Sequence, residues 1–365
     1  MTRQILLITS IYPPQSGGPA VFTSRFYKWL EERNYDVKII TYCLHVEPRT
    51  RKIIKIRVRP FRVLSFVKFI LEIIKNSKRN TLILANGAFL EVFLASFLCR
   101  RKYVAKIPGD LIWEFSKNKG WTTSPVLEFQ GEKMNLFQIF FRKIWNLGLS
   151  RAKFVITPSH QLENIASIWG VERDKIKLIY NCVDSQKFVS FGNNHKDFDL
   201  ITVCRLVPGK GLEELIQVSI KLDLSLAIVG EGPLLEKLKL LAGENTNIHF
   251  IGNLKNESIP KILNLSKIFV LNSDSEATSY AIIEAKMCGL PVIARINDGA
   301  ITLVNHNQDG LIFSGIGSNN LENSIGDLIS NDDLTKVFSQ KTRQDAILRF
   351  DQNTNFNKIL ELIEN

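Results

Sequence analysis

The sequence predicts an α/β protein built from two doubly wound, Rossmann-like domains facing a cleft. Three observations carry this. Short apolar runs alternate with helix-patterned segments along the whole chain, the order that parallel sheets produce. A length of 365 residues with 45% hydrophobic content suffices for two separate cores. Charge is also divided: residues 1–190 hold 31 Lys+Arg against 14 Asp+Glu, a balance of +17, whereas residues 191–365 balance at −6. The change falls at "VSFGNNHKDF", a polar Gly/Asn stretch that reads as a linker between domains over 1–190 and 198–345. A final helix at about 346–365, containing "FNKILELIEN", has apolar positions at helical spacing and is expected to pack back on the first domain.

The first strand is "QILLITS". Its apolar run is short and ends in Pro-Pro without a small-residue cleavage site, which favours a strand over a signal peptide and a cytoplasmic setting over export. Gly17 and Gly18 follow in "IYPPQSGGPAVF", where backbone amides can approach an anion at the mouth of a helix starting near Ala20. An ordinary Gly-rich turn is the plain alternative. The second strand, "VKIITYC", ends on a cysteine rather than an acid, and no G-x-G-x-x-G occurs, which argues against a nicotinamide cofactor. "TLILANGAFLEVFLASFLC" is broken by Asn86, Gly87 and Glu91 and reads as a strand, a turn and a buried helix, not a membrane span. "YVAKIPG" and "FVITPS" complete the first set. Between them, "LIWEFSKNKGWTTSPVLEFQG" reads as a long Trp- and Lys-rich loop lining the acceptor side. The five cysteines are scattered without C-x-x-C spacing, so neither a disulfide framework nor a zinc site is expected.

The second set is "LITVCRL", "LSLAIVGEG", "NIHFIGN", "KIFVLNS" and "PVIAR". Arg205 leaves the first of these, and Lys210, between Gly209 and Gly211, stands just ahead of a helix. Two cations with helix amides at one strand end suit a diphosphate, although a P-loop is not matched and two solvated charges on a loop are the plain alternative. Gly230 and Gly232, at another strand end before Pro233, are candidates for the donor site or form a tight strand-to-helix turn, and Gly252 ends the next strand, where its backbone could meet a base edge. "SDSEATSYAIIEAKMCGLPVIA" sets Glu276 at a strand end and Glu284 about two turns into a helix capped by Thr278 or Ser279 and stopped by Gly289. Ligands of open α/β sheets bind at such strand ends.

Taken in order, Gly-Gly after strand one, R-x4-K, G-x-G-P, F-x-G and two glutamates separated by seven residues before "CGLPVIA" resemble retaining glycosyltransferases of the GT-B fold, family-four type. "IYNCVD" is similar to that family's Y-N-G-V-D, with Cys182 in place of glycine. The resemblance implies sugar transfer from a nucleotide-diphosphate donor with anomeric retention and no metal or other cofactor. It further implies that Glu284 holds the ribose, that Glu276 faces the sugar, and that Arg205 and Lys210 neutralise the leaving diphosphate. The amides of Ala277, Thr278 and Ser279 are expected at the phosphates, in a loop reading "EATS" where the family has a glycine-rich E-G-x-G. The family histidine after strand four is absent from "KIPGDLIWEF"; Asp110, the nearby polar candidate, either meets acceptor or donor sugar or caps the next turn. Asp197 and Asp199 form a D-x-D that precedes a strand and is discounted as a metal site.

The acceptor expected from the resemblance is a glycan or a lipid-linked molecule of the cell envelope. From Arg62 a helix is expected whose polar stripe, Arg62, Ser65, Lys68, Glu72 and Lys75, forms a solvated edge; contact with an anionic membrane at its inner face is the second possibility, also open to "MNLFQIFFRKIWNLGL". A sugar-nucleotide epimerase is the rival enzyme. A nucleic-acid-binding protein is the rival from another class, disfavoured because no recognised module accompanies the basic charge.

Overall fold

The computed structural model describes residues 3–15, 17–44, 51–58, 62–192, 195–317 and 319–365. It divides into two compact units, residues 1–180 with 356–365, and residues 181–355.

Unit 1 runs β1 (Ile5–Thr9), α1 (Gly18–Glu31), β2 (Val37–Cys43), β3 (Ile53–Arg57), α2 (Arg62–Asn76), β4 (Leu82–Asn86) and α3 (Phe89–Cys99). It continues through β5 (Val104–Lys106), α4 (Leu111–Asn118), α5 (Val126–Phe129), α6 (Leu136–Ser150), β6 (Phe154–Thr157), α7 (His160–Ile168) and β7 (Ile176–Leu178). All seven strands are parallel, in the order β3-β2-β1-β4-β5-β6-β7. β1 is buried at all five positions, as a central parallel strand covered on both faces must be.

Unit 2 runs β8 (Phe198–Val203), α8 (Leu212–Lys221), β9 (Leu226–Val229), α9 (Leu235–Ala242), β10 (Ile248–Gly252), α10 (Ile259–Asn264) and β11 (Ser266–Leu271). Then come α11 (Tyr280–Met287), β12 (Val292–Arg295), α12 (Asp298–Leu303), β13 (Gly310–Phe313), α13 (Leu321–Ile329) and α14 (Asp332–Phe350). Its six parallel strands are ordered β10-β9-β8-β11-β12-β13. The chain returns to unit 1 within α15 (Gln352–Glu364), where Phe356 meets Phe22, Phe26 and Trp29 at ring distances of 4.9–5.9 Å.

Four expectations need correction. The division falls at Tyr180 and Asn181, before the Gly/Asn stretch, because the intervening backbone is held by unit 2: Val183 N–H donates to the Phe350 carbonyl and Phe191 N–H to Asn264 Oδ1. The single terminal helix is two, α14 and α15, parted at Asp351, whose backbone is extended (φ −64°, ψ 131°). The Trp- and Lys-rich stretch after β5 is not a loop: Asp110 and the capping sequence around it nucleate α4, and α5 follows. On α2, Ser65 is buried rather than solvated, its hydroxyl donating to the Arg57 carbonyl at 2.9 Å, while Val63, Leu64, Val67 and Leu71 face out. Among the described residues no helix is long and apolar enough to cross a membrane.

Candidate active site

In each sheet the strand order reverses once. In unit 2 this switch lies between β8 and β11, whose crossovers leave in opposite directions and open a crevice at their carboxyl ends. The two loops that leave these strands carry Arg205–Gly211 and Asn272–Ser279, so the topology brings together segments that the sequence separates.

Lys210 and Glu276 meet there. The ammonium contacts Glu276 Oε1 and donates to Ser273 Oγ at 3.2 Å, with both charged side chains less than a fifth exposed. Ser273 Oγ in turn donates toward the Gly209 and Ser275 carbonyls, and Asp274 N–H donates to the Gly209 carbonyl at 2.9 Å. The two loops are thereby tied into one unit. A Cβ at Gly211 would fall 2.3 Å from the Asn272 carbonyl oxygen, so this contact requires glycine there. Asn272 extends the tie: its Nδ2 donates to the Gly211 carbonyl and to Glu214, while Arg295 Nε donates to Asn272 Oδ1 at 2.8 Å. Behind Glu276, Gly299 N–H donates to its carbonyl at 2.8 Å, and a Cβ on Gly299 would press within 2.8 Å of Glu276 Cβ.

Arg205 is exposed, and among the described residues its guanidinium meets no carboxylate. Burial pushes the thiol of Cys204, beside it, up to about 11. Thr278 Oγ1 accepts from Asn181 Nδ2 at 2.7 Å, and Ser279 caps α11 by accepting from Ile282 N–H. Ala277 is half-buried between them. Glu284 lies buried on α11. Two positions further, Lys286 is fully buried; it donates to the Leu303 carbonyl at 2.6 Å and pairs with Asp309 at 3.0 Å and with Asp345 on α14.

Gly230 and Gly232 have a packing role. A Cβ on Gly230 would stand 1.9 Å from the Cys204 carbonyl oxygen, and the Gly230 amide already donates to the Gly252 carbonyl. These glycines press the β9 turn against the end of β8. Asp197 and Asp199 are engaged by His195, Lys267 and Ser225. Among the described residues no three His, Cys, Asp or Glu side chains gather to hold a metal.

In unit 1 the switch lies between β1 and β4. Gly17 (φ 147°) and Gly18 are exposed at the start of α1, where no side chain caps the helix and a Cβ on Gly18 would meet open space. That leaves a helix N-terminus accessible to an anion. Asn86, at the end of β4, donates to the Pro19 carbonyl and Thr23 Oγ1 and fixes the start of α1. Asp110 is buried, and its carboxylate is committed: Oδ1 accepts from Ile112 and Trp113 N–H, while Oδ2 accepts from Gln130 and faces Arg142 at 3.6 Å. Of the two roles left open by the sequence, this geometry supplies the cap.

Comparison with known proteins gives the family and the fold. The model described as Glycosyltransferase Family 4 matches residues 16–187, and that described as Glycosyl transferases group 1 matches residues 183–345. The chain belongs to this family of glycosyltransferases and is an enzyme of that class. An uncharacterised glycosyltransferase of Methanocaldococcus jannaschii is 25% identical over 93% of each chain. A GDP-mannose-dependent phosphatidylinositol monomannoside mannosyltransferase of Mycobacterium tuberculosis is 30% identical over 36% of this chain and 38% of its own. Among solved structures, Anabaena HepE in complex with UDP superposes with a TM-score of 0.77 at 21% identity over 98% of each chain. The fold is GT-B.

Proposed function

We propose that this glycosyltransferase moves a sugar from a nucleoside-diphosphate donor to a glycan or lipid-linked acceptor, with retention at the anomeric carbon and without a metal. The setting we propose is cell-envelope polysaccharide synthesis at the cytoplasmic face of the membrane. The observation that carries the reading is the Lys210–Glu276 pair at the switch point of unit 2, with Arg205 exposed beside it.

Cleavage of a glycosyl phosphate bond leaves positive charge on the sugar and negative charge on the departing oxygen. Lys210 and Arg205 are cations on the same loop and meet the second; Glu276 is a carboxylate on the neighbouring loop and meets the first. Such groups are most effective when held in place before the reaction, as the Ser273, Asn272 and Gly299 contacts hold these. Glu284 is assigned the ribose hydroxyls. Relatives support the donor and acceptor classes: HepE was solved with UDP and glucose, and the mycobacterial enzyme is named for GDP-mannose and a phosphatidylinositol glycolipid.

A thermal-shift screen against UDP-, GDP-, ADP- and TDP-sugars, repeated with EDTA, tests the proposal, because a donor bound to the native state raises Tm by mass action. One nucleotide class is expected to stabilise the protein equally with and without EDTA, and NMR of the product is expected to show the donor's anomeric configuration. No shift with any donor, loss of the shift in EDTA, or an inverted product would each contradict it.

A further inference from the structure

We infer, on the sugar-transfer reading of Glu276, that Asn181 and Thr278 are positioning residues for that carboxylate. Their hydrogen bond ties the loop that carries Glu276 to the segment 181–185, within unit 2.

The loop from Glu276 to Ser279 is held at both ends. Gly299 N–H donates to the Glu276 carbonyl, and Ser279 caps α11 by accepting from Ile282 N–H. The middle lacks such support: among the described residues the main chain of Ala277 and Thr278 makes no hydrogen bond. Ordering a backbone costs conformational entropy, so a stretch without main-chain bonds keeps one position only where a side chain ties it. Thr278 supplies that tie. Its Oγ1 accepts from Asn181 Nδ2 at 2.7 Å, and the two residues lie 97 positions apart in sequence.

Asn181 is a firm anchor. It is 7% exposed, and the backbone that follows it is clamped. Val183 forms a parallel bridge with Asp351; its N–H donates to the Phe350 carbonyl, and its own carbonyl accepts from Gln352 N–H, both at 3.0 Å. Ser185 Oγ donates to Asp351 Oδ2 at 2.6 Å. Asp351 parts α14 from α15, and the buried Asn355 side chain donates to the Arg349 and Asp351 carbonyls beside it. The Asn181–Thr278 bond thus runs from a braced corner of unit 2 to the unsupported middle of the catalytic loop. Thr278 is two positions from Glu276, so a shift of its main chain re-aims the carboxylate. Lys210 also contacts Glu276, but in the proposed reaction its ammonium turns to the departing oxygen. Gly299 and Thr278 then keep Glu276 in place. Misplacing a reacting group by about 1 Å costs up to about a hundredfold in rate, so such a tie acts on turnover.

The test is steady-state kinetics on the whole chain, with donor affinity and Tm alongside, for Thr278→Val, Thr278→Ser, Asn181→Ala and the double variant Asn181→Ala with Thr278→Val. Valine nearly keeps the shape and removes the hydroxyl, whereas serine keeps the hydroxyl. Turnover is read as sugar transfer or as slow donor hydrolysis. Thr278→Val is expected to lose on the order of tenfold to a hundredfold in kcat, with donor affinity and Tm nearly unchanged. Thr278→Ser is expected to recover most of that loss. The double variant is expected to be no slower than Asn181→Ala alone, because the two side chains act as one unit. Wild-type turnover by Thr278→Val overturns the inference, as do failure of Thr278→Ser to recover it, additive losses in the double variant, or a fall in Tm or donor affinity that accounts for the lost turnover. Failure of the tie is distinguishable from failure of the function. Wild-type turnover by Glu276→Gln removes the role of Glu276 itself, whereas an impaired Glu276→Gln beside a fully active Thr278→Val removes only the tie.

Discussion

The contact between Lys210 and Glu276 unites two loops whose sequence positions differ by more than sixty residues, and it does so without either residue being conspicuous alone. Both were legible in the sequence because each follows a strand directly and precedes a helix. Ser273, Asn272, Arg295 and Gly299 were not, because they act by holding backbone: a serine bridging two loops or a glycine pressed on a glutamate leaves no spacing to read. Asp110 was noticed for its position, yet its burial and four partners could only be seen in the fold. Replacing Arg205 or Lys210 by Ala is expected to depress turnover with little change in Tm, since neither supports a core; equal losses of turnover and stability would make them structural. For Glu284→Ala, calorimetry is expected to show donor affinity weakened by roughly 1.5–3 kcal/mol, the worth of hydrogen bonds to a charged acceptor. Unaltered affinity would remove Glu284 from the donor site.

At the scale of elements, α11 carries two buried charged side chains, Glu284 and Lys286. Lys286 pins the helix to Asp309 before β13 and to Asp345 on α14, where Arg349 also grips Asp345. Lys286→Met is expected to cost on the order of 3 kcal/mol in denaturant unfolding, because it strips the cation from buried carboxylates; a change within experimental error would deny the clamp. Burial alone would raise the Asp345 carboxyl, but Arg349 and Lys286 hold it below its ordinary value of 3.8. A depressed folded value means stability that is present above the unfolded value and disappears as pH falls through the folded one. Wild type and Asp345→Asn are therefore expected to differ in stability at neutral pH and to converge below pH 3.8. A constant difference down through that range would contradict the assignment. Ten strands were legible as apolar runs, whereas β3, β7 and β13 were not. β3 and β7 are sheet edges that carry basic residues between their apolar ones, so less burial is written into them, whereas β13 is apolar and buried at three of its four positions but only four residues long.

Over the whole molecule, the alternation of strands and helices was enough to give two parallel sheets, but the division between units was misread by composition. A Gly/Asn stretch looks like a linker; hydrogen bonds decide where a unit begins, and those of Val183 and Phe191 lie in unit 2. Charge separates along the same division, with the basic balance in the unit that carries the exposed apolar helices. The central claim, that the crevice between β8 and β11 of unit 2 performs sugar transfer, is tested most directly at Glu276. Its change to Gln is nearly isosteric and keeps the Gly299 backbone contact, so the fold is expected to persist. If the carboxylate acts mainly as the transition state forms, Glu276→Gln should bind the donor nucleotide with near wild-type affinity in calorimetry while losing most transfer, or most slow donor hydrolysis where no acceptor is at hand. Wild-type turnover by Glu276→Gln would contradict the account.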